Sequence, residues 1–167
     1  MLLSIYTAVH VLISLAGIFS GLVVLCGLLA AKRLDGWTAF FLATTVATSV
    51  TGFFFPVHHF MPSHAVGILS LVILALAIYA RYARRLVRAW GKVYVVGAVM
   101  ALYLNVFVGI VQSFEKIPAL KALAPTQTEP PFKLAQLVVL ALFVVLGIVA
   151  TIRFRDEPGR DTEISAK

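Results

Sequence analysis

Residues 5–31, IYTAVHVLISLAGIFSGLVVLCGLLAA, hold no lysine, arginine, aspartate or glutamate and run directly into Lys32 and Arg33. Roughly 20 apolar residues carry an α-helix across a hydrocarbon core of about 30 Å, so this stretch is long enough to span a membrane. No basic residue precedes it, and it far exceeds the roughly 7–15 residues of a signal-peptide core, so it reads as a retained first helix. Four further stretches have the same character: 38–57, 64–80, 93–112 and 133–152. The chain as a whole is 61% hydrophobic and only 13% charged, with a mean hydropathy of +1.00, outside the range of a soluble domain of this length. Lipid offers the backbone no hydrogen-bond partner, and runs of this length therefore predict helices. The expectation is an all-α, polytopic transmembrane bundle of about five spans, one domain over 1–155 followed by a short polar tail, 156–167.

The basic residues orient it. Lys32 and Arg33 follow span one; Arg81, Arg84, Arg85, Arg88 and Lys92 follow span three; Arg153, Arg155, Arg160 and Lys167 follow span five. Only Lys116, Lys121 and Lys133 fall at the other end. Cytoplasmic loops carry the excess of lysine and arginine, which predicts an external N-terminus and a cytoplasmic C-terminus. Trp37, Tyr82, Trp90 and Tyr94 lie near the same boundary, as an aromatic belt would. The net charge of +7 is thus a matter of topology. It flanks spans and builds no nucleic-acid-reading surface, so no nucleic-acid partner is expected. Arg81, Arg84, Arg85, Arg88 and Lys92 are spaced for one helical face, predicting that the third connection extends as a helix against anionic headgroups.

All four histidines collect at the opposite end. His58, His59 and His64 lie in the proline-bracketed turn PVHHFMPSH (56–64), and counting about 20 residues back from the basic boundaries places His10 at the same depth. His10, Ser14, Gly17 and Gly21 follow a 4, 3, 4 spacing, which points His10 toward protein; Gly17 and Gly21 form a GxxxG pair suited to close helix approach. That pair is expected to admit another helix, either within the bundle or from a second copy or a membrane partner. Thr44, Thr45, Thr48, Ser49, Thr51 and Gly52 in span two, with Gly97, Ala101, Asn105 and Gln112 in span four, predict a polar interior in the histidine half of the bundle.

Imidazole ligates transition metals and titrates near neutrality, and histidines from two helices are able to hold a heme iron axially. His10, His58, His59 and His64 are therefore the candidate ligands of a metal ion or heme b, with Asn105, Gln112 and Glu115 as supporting polar residues. In the loop 113–133, the four prolines 118, 125, 130 and 131 argue against continuous helix, and its apolar residues suit a cap over the bundle end; Glu115 and Glu129 are the carboxylates available to orient the histidines.

Other chemistries are set aside. No span contains Asp or Glu, which argues against carboxylate-coupled ion transport. The chain lacks a Gly-rich phosphate loop, HExxH, CxxC and GxSxG. Cys26 stands alone, excluding an intramolecular disulfide, and is expected to be a packing residue. The five-span layout with its PVHHFMPSH turn resembles small bacterial polytopic inner-membrane proteins of unassigned activity. That resemblance implies a multi-pass inner-membrane location and transfers no site. Two functions follow from the residues: a histidine site binding metal or heme in a redox or transport role, or a non-enzymatic assembly or channel-like subunit with interfacial histidines.

Overall fold

In a computed structural model, residues 1–55 and 62–154 are described. His58 and His59, and all of the expected polar tail, lie outside them. The described residues form helices and turns without a strand: α1 (Leu2–Leu29), α2 (Asp35–Gly52), α3 (Pro62–Ile78), α4 (Ala89–Lys116), α5 (Pro118–Leu123) and α6 (Pro130–Arg153). Four of them, α1, α3 with its continuation to Ala83, α4 and α6, are long and apolar enough to cross a membrane. The stretch expected as span two, α2, is an 18-residue helix whose threonines and Asp35 lower its apolar character. Two of its hydroxyls fold back on their own helix: Thr44 donates to the Phe40 carbonyl at 2.8 Å and Thr51 to that of Ala47 at 2.7 Å.

Successive long helices run antiparallel, so the chain has two ends. At one, the start of α1 meets the end of α2; at the other, the Asp35 carboxylate at the start of α2 pairs with Arg81 beyond α3, and Arg153 of α6 donates to the Leu29 carbonyl at the end of α1. Of the basic residues described, Lys116, Lys121 and Lys133 lie at the histidine end and the others at the opposite one, here termed the basic end. The central helix is α4, packed on α1, α2, α3 and α6. In its most apolar stretch 44% is buried, against 11% in α6, which leaves Leu134, Leu137, Val145, Ile148 and Ile152 facing outward. An apolar surface of that extent is stable against lipid and not against water.

Of the two settings expected for the Gly17/Gly21 face, the bundle or an oligomer, the structure shows the first: the face is filled within the chain. A Cβ at Gly21 would stand 2.5 Å from Leu102 Cδ1 and 2.8 Å from Phe41 Cε2, both side chains being 1% exposed. At Gly17 the neighbours are Asn105, Thr44 and Thr45. The two glycines therefore admit α2 and α4 to α1. Cys26, expected to pack, is exposed.

The third connection also departs from expectation. α3 widens into one π-helical turn, Tyr79–Ala83, and then breaks: Arg85, Leu86 and Arg88 take φ of 50°, 61° and 54°. Left-handed backbone at non-glycine residues costs on the order of 1–3 kcal/mol each. Here it turns Leu86 into the core, where it is 6% exposed and donates its N–H to the Ala80 carbonyl at 3.1 Å. The arginines accordingly do not share one helical face.

At the histidine end the 113–133 loop folds onto α4 with a short helix, α5. Ala124 is fully buried, Gln127 Nε2 donates to the Val111 carbonyl at 3.1 Å, and the Phe114 and Phe132 rings meet edge-on at 5.4 Å. Glu129 is not available to orient histidines. Its carboxylate accepts from the Thr126 hydroxyl at 2.8 Å and from the amides of Thr126 and Thr128. Desolvation pushes that carboxyl up, but these hydrogen bonds outweigh it and hold it below its ordinary range.

Replacing Gly21 with leucine should lower stability by about 1–3 kcal/mol through overpacking. Leu15→Phe, at a position 57% exposed, should leave it nearly unchanged. Thermal unfolding of the detergent-solubilised protein measures both, and equal melting temperatures would remove the glycine contact from the account.

Candidate functional site

His10 sits two and a half turns into α1, on the side facing α2. Its Nδ1 lies 2.8 Å from Thr51 Oγ1 in the last turn of α2, and its ring meets Phe55 edge-on at 5.1 Å. Tyr6, one turn earlier, donates its hydroxyl to the Thr51 carbonyl at 2.5 Å and also packs edge-on against Phe55, at 5.0 Å. Ser14 donates to the His10 carbonyl at 2.8 Å. The imidazole is thus fixed by one hydrogen bond and one ring.

The other contacts of Thr51 favour one tautomer. A threonine hydroxyl has one proton, and that of Thr51 is directed to backbone carbonyls, Ala47 at 2.7 Å and Thr48 at 3.2 Å. Toward His10 the oxygen offers only lone pairs, so Nδ1 carries the hydrogen and Nε2 of the neutral ring keeps its lone pair. An imidazole held through Nδ1–H and presenting Nε2 is the form in which histidine commonly enters a coordination shell.

His64, in the first turns of α3, stacks on Phe53 with ring centroids 5.6 Å apart and planes 30° from parallel. Gly67, one turn further on, makes room for the same phenylalanine: a Cβ there would lie 3.0 Å from Phe53 Cζ. The turn that ends α2 therefore carries both described histidines, His10 on Phe55 and His64 on Phe53, from two different helices. His58 and His59 lie outside the described residues. Among the described residues, no group of three or more His, Cys, Asp or Glu side chains is placed to hold a metal ion.

Below His10 the interior is polar, as the residue types in spans two and four suggest. Gly17 lies seven residues on, about 10 Å deeper along the axis, and there α1, α2 and α4 converge: the space above Gly17 is bounded by Asn105 Nδ2 at 3.0 Å and the hydroxyls of Thr44 and Thr45 at 3.4 Å. Asn105 Nδ2 and the hydroxyls of Thr45 and Thr48 are buried without a hydrogen-bond partner, Thr45 being 1% exposed. Unsatisfied polar atoms in such surroundings cost on the order of 1–3 kcal/mol apiece. On the flanks, Ser49 of α2 donates to Ser70 of α3 at 3.1 Å, and Gln136 of α6 donates to the Phe107 carbonyl at 3.3 Å.

Of the supporting residues expected around the histidines, Asn105 belongs to this deeper layer, while Gln112 and Glu115 are exposed near the end of α4. Thr51 and Tyr6, which do contact the His10 neighbourhood, carry no motif. The signal available was the 3, 4 spacing of Thr44, Thr48 and Thr51 along α2, which puts Thr51 on the small polar face.

Comparison with known proteins adds no relative: no protein-family model, curated protein or solved structure matches the chain.

With uniformly 15N-labelled histidine, the His10 ring in the intact protein should show a protonated Nδ1 and an unprotonated Nε2 above neutral pH. In Thr51→Val that preference should vanish, with a stability loss of about 0.5–1.5 kcal/mol for the missing bond. A protonated Nε2 in the unmodified protein would reverse the assignment.

Proposed function

We propose that the chain is a five-pass protein of the bacterial inner membrane, with its N-terminus outside and its C-terminus in the cytoplasm, whose histidine end binds a transition-metal ion or heme b in a redox or transport role. The observation that carries this reading is the Thr51 oxygen behind His10 Nδ1, which leaves Nε2 as the donor atom. Two features add support. His10 and His64 come from different helices and meet the same phenylalanine-bearing turn, and heme or metal sites in helix bundles draw their histidines from separate helices. The turn residues His58 and His59 supply further imidazoles close by in the chain.

The five-pass reading treats α2 as a crossing helix. At 18 residues it is about 27 Å long, the Thr44 and Thr51 hydroxyls are bonded to its own backbone, and α1, α3 and α4 pack on its inner face. The orientation follows from the crowding of lysine and arginine at one end. A reporter fused after Lys167 should be cytoplasmic and one inserted near Thr126 external; both on one side would rule out the five-pass count.

A second reading, a non-enzymatic assembly or channel-like subunit, draws on the lack of a three-ligand group among the described residues and on the broad outward apolar face of α6. Metal content and the visible spectrum of the purified protein separate the two. The binding reading expects near-stoichiometric iron, copper or zinc, or a Soret band, in the unmodified protein, strongly reduced in His10→Ala and in His59→Ala. Neutral imidazole is the ligand form, so occupancy should fall as the pH drops below about 6. Undetectable metal and heme after expression with adequate supply would leave the subunit reading.

A further inference from the structure

Beneath His10, three buried polar atoms find no hydrogen-bond partner among the described residues: Nδ2 of Asn105 on α4 and the hydroxyls of Thr45 and Thr48 on α2. We propose that these atoms bind a water molecule inside the bundle, where α1, α2 and α4 converge. The site rests on the packing of those helices and not on what the histidine end binds.

Register brings the three atoms to one space. Asn105 Nδ2 lies 3.0 Å and Thr45 Oγ1 3.4 Å from the point that a Cβ on Gly17 would take. Gly17 adds no side chain that would fill the ground between them. Thr48 lies three residues along α2 from Thr45, on the side of His10. Residues so spaced have Cβ atoms about 5–6 Å apart, a gap that one water spans with two hydrogen bonds of about 2.8 Å. Seen down the helix axis, Thr48 falls between Thr45 and Thr44, both of which border Gly17.

The usual outlet of a helical threonine, the carbonyl four residues back, is taken for Thr45. The Phe41 oxygen already accepts the Thr44 hydroxyl at 3.0 Å besides the N–H of its own helix, and a carbonyl has two lone pairs. Thr45 is only 1% exposed, so bulk solvent does not serve it either.

The donor set selects the ligand. Residues 5–31, 38–57 and 93–112 hold no lysine, arginine, aspartate or glutamate. An anion there would find no counter-charge, and a cation would face the Asn105 amide hydrogens without a carboxylate. Water both donates and accepts, so it serves an amide N–H and two hydroxyls together, and an internal water typically satisfies about three such groups.

Asn105 is the only asparagine in the chain, so labelling asparagine alone with 15N gives one side-chain amide and one backbone amide. The test follows magnetisation transfer from water to both by solid-state NMR, with the full chain in phosphatidylcholine vesicles. The backbone amide, bonded within α4, is the dry reference. The side-chain signal should build up several-fold faster, and in Thr45→Val and Thr48→Val it should slow toward the backbone rate. Thr151→Val, on α6, should leave it unchanged. Equal rates for the two amides in the unmodified protein overturn the proposal, and that comparison stands whether or not the valine variants fold. Unchanged transfer in both Thr45→Val and Thr48→Val overturns the assignment of these hydroxyls as ligands. Thermal unfolding gives an independent readout: Thr45→Val should not raise the melting temperature, because its hydroxyl has a partner in water. A rise, the signature of a hydroxyl buried without one, overturns the proposal.

Discussion

The close approach of α1 to α2 and α4 at Gly17 and Gly21 is the contact on which the remaining geometry rests. In lipid, helices gain nothing by hiding apolar side chains from a solvent that is itself apolar, so association depends on packing and on hydrogen bonds between helices. The two glycines supply the first by letting Phe41 and Leu102 close over α1. The second follows in register: with α2 seated there, its last turn arrives beside His10, and the Thr51 oxygen comes within 2.8 Å of Nδ1. A shift of α2 by one residue along α1 would rotate Thr51 by about 100° and leave the imidazole without its partner.

The fold was legible where chain and lipid impose the same condition. α1, α4 and α6 are helices of at least 24 residues built around long, mainly apolar stretches, and length alone defines them. α2 was legible as a helix, although it starts at Asp35 and not at Thr38, since the pairing of Asp35 with Arg81 draws the polar residues into its first turn. The third connection was misread. The arginine spacing fits a helical face, but Leu86 gains more by entering the core than the helix gains by continuing, and no glycine or proline announces the break.

At the candidate site, the direction of His10 could be read from its spacing with Ser14, Gly17 and Gly21. Its partner could not. Thr51 is 41 residues away, and only the relative register of two helices brings them together. The same limit applied to Gly17 and Gly21: small residues declare that something packs closely, and the identity of that neighbour is a tertiary fact. Glu129 shows the converse, a carboxylate with suitable chemistry that is consumed locally by the turn it closes.

The layer at Gly21 has a bearing on electrical insulation. On its histidine side lie the hydroxyls and amide around Gly17; on its basic side, Tyr94 donates to Thr38 at 3.3 Å beneath the Arg81 guanidinium. Between the two stand Phe41 and Leu102, closed down on a glycine. A charge crossing a membrane poised at 100 mV gains or loses about 2.3 kcal/mol, so a continuous polar file through the bundle would drain the potential of any cell that made it. The aromatic and aliphatic layer interrupts the line of polar groups at this depth, so the hydroxyls and amide around Gly17 do not continue into those around Thr38.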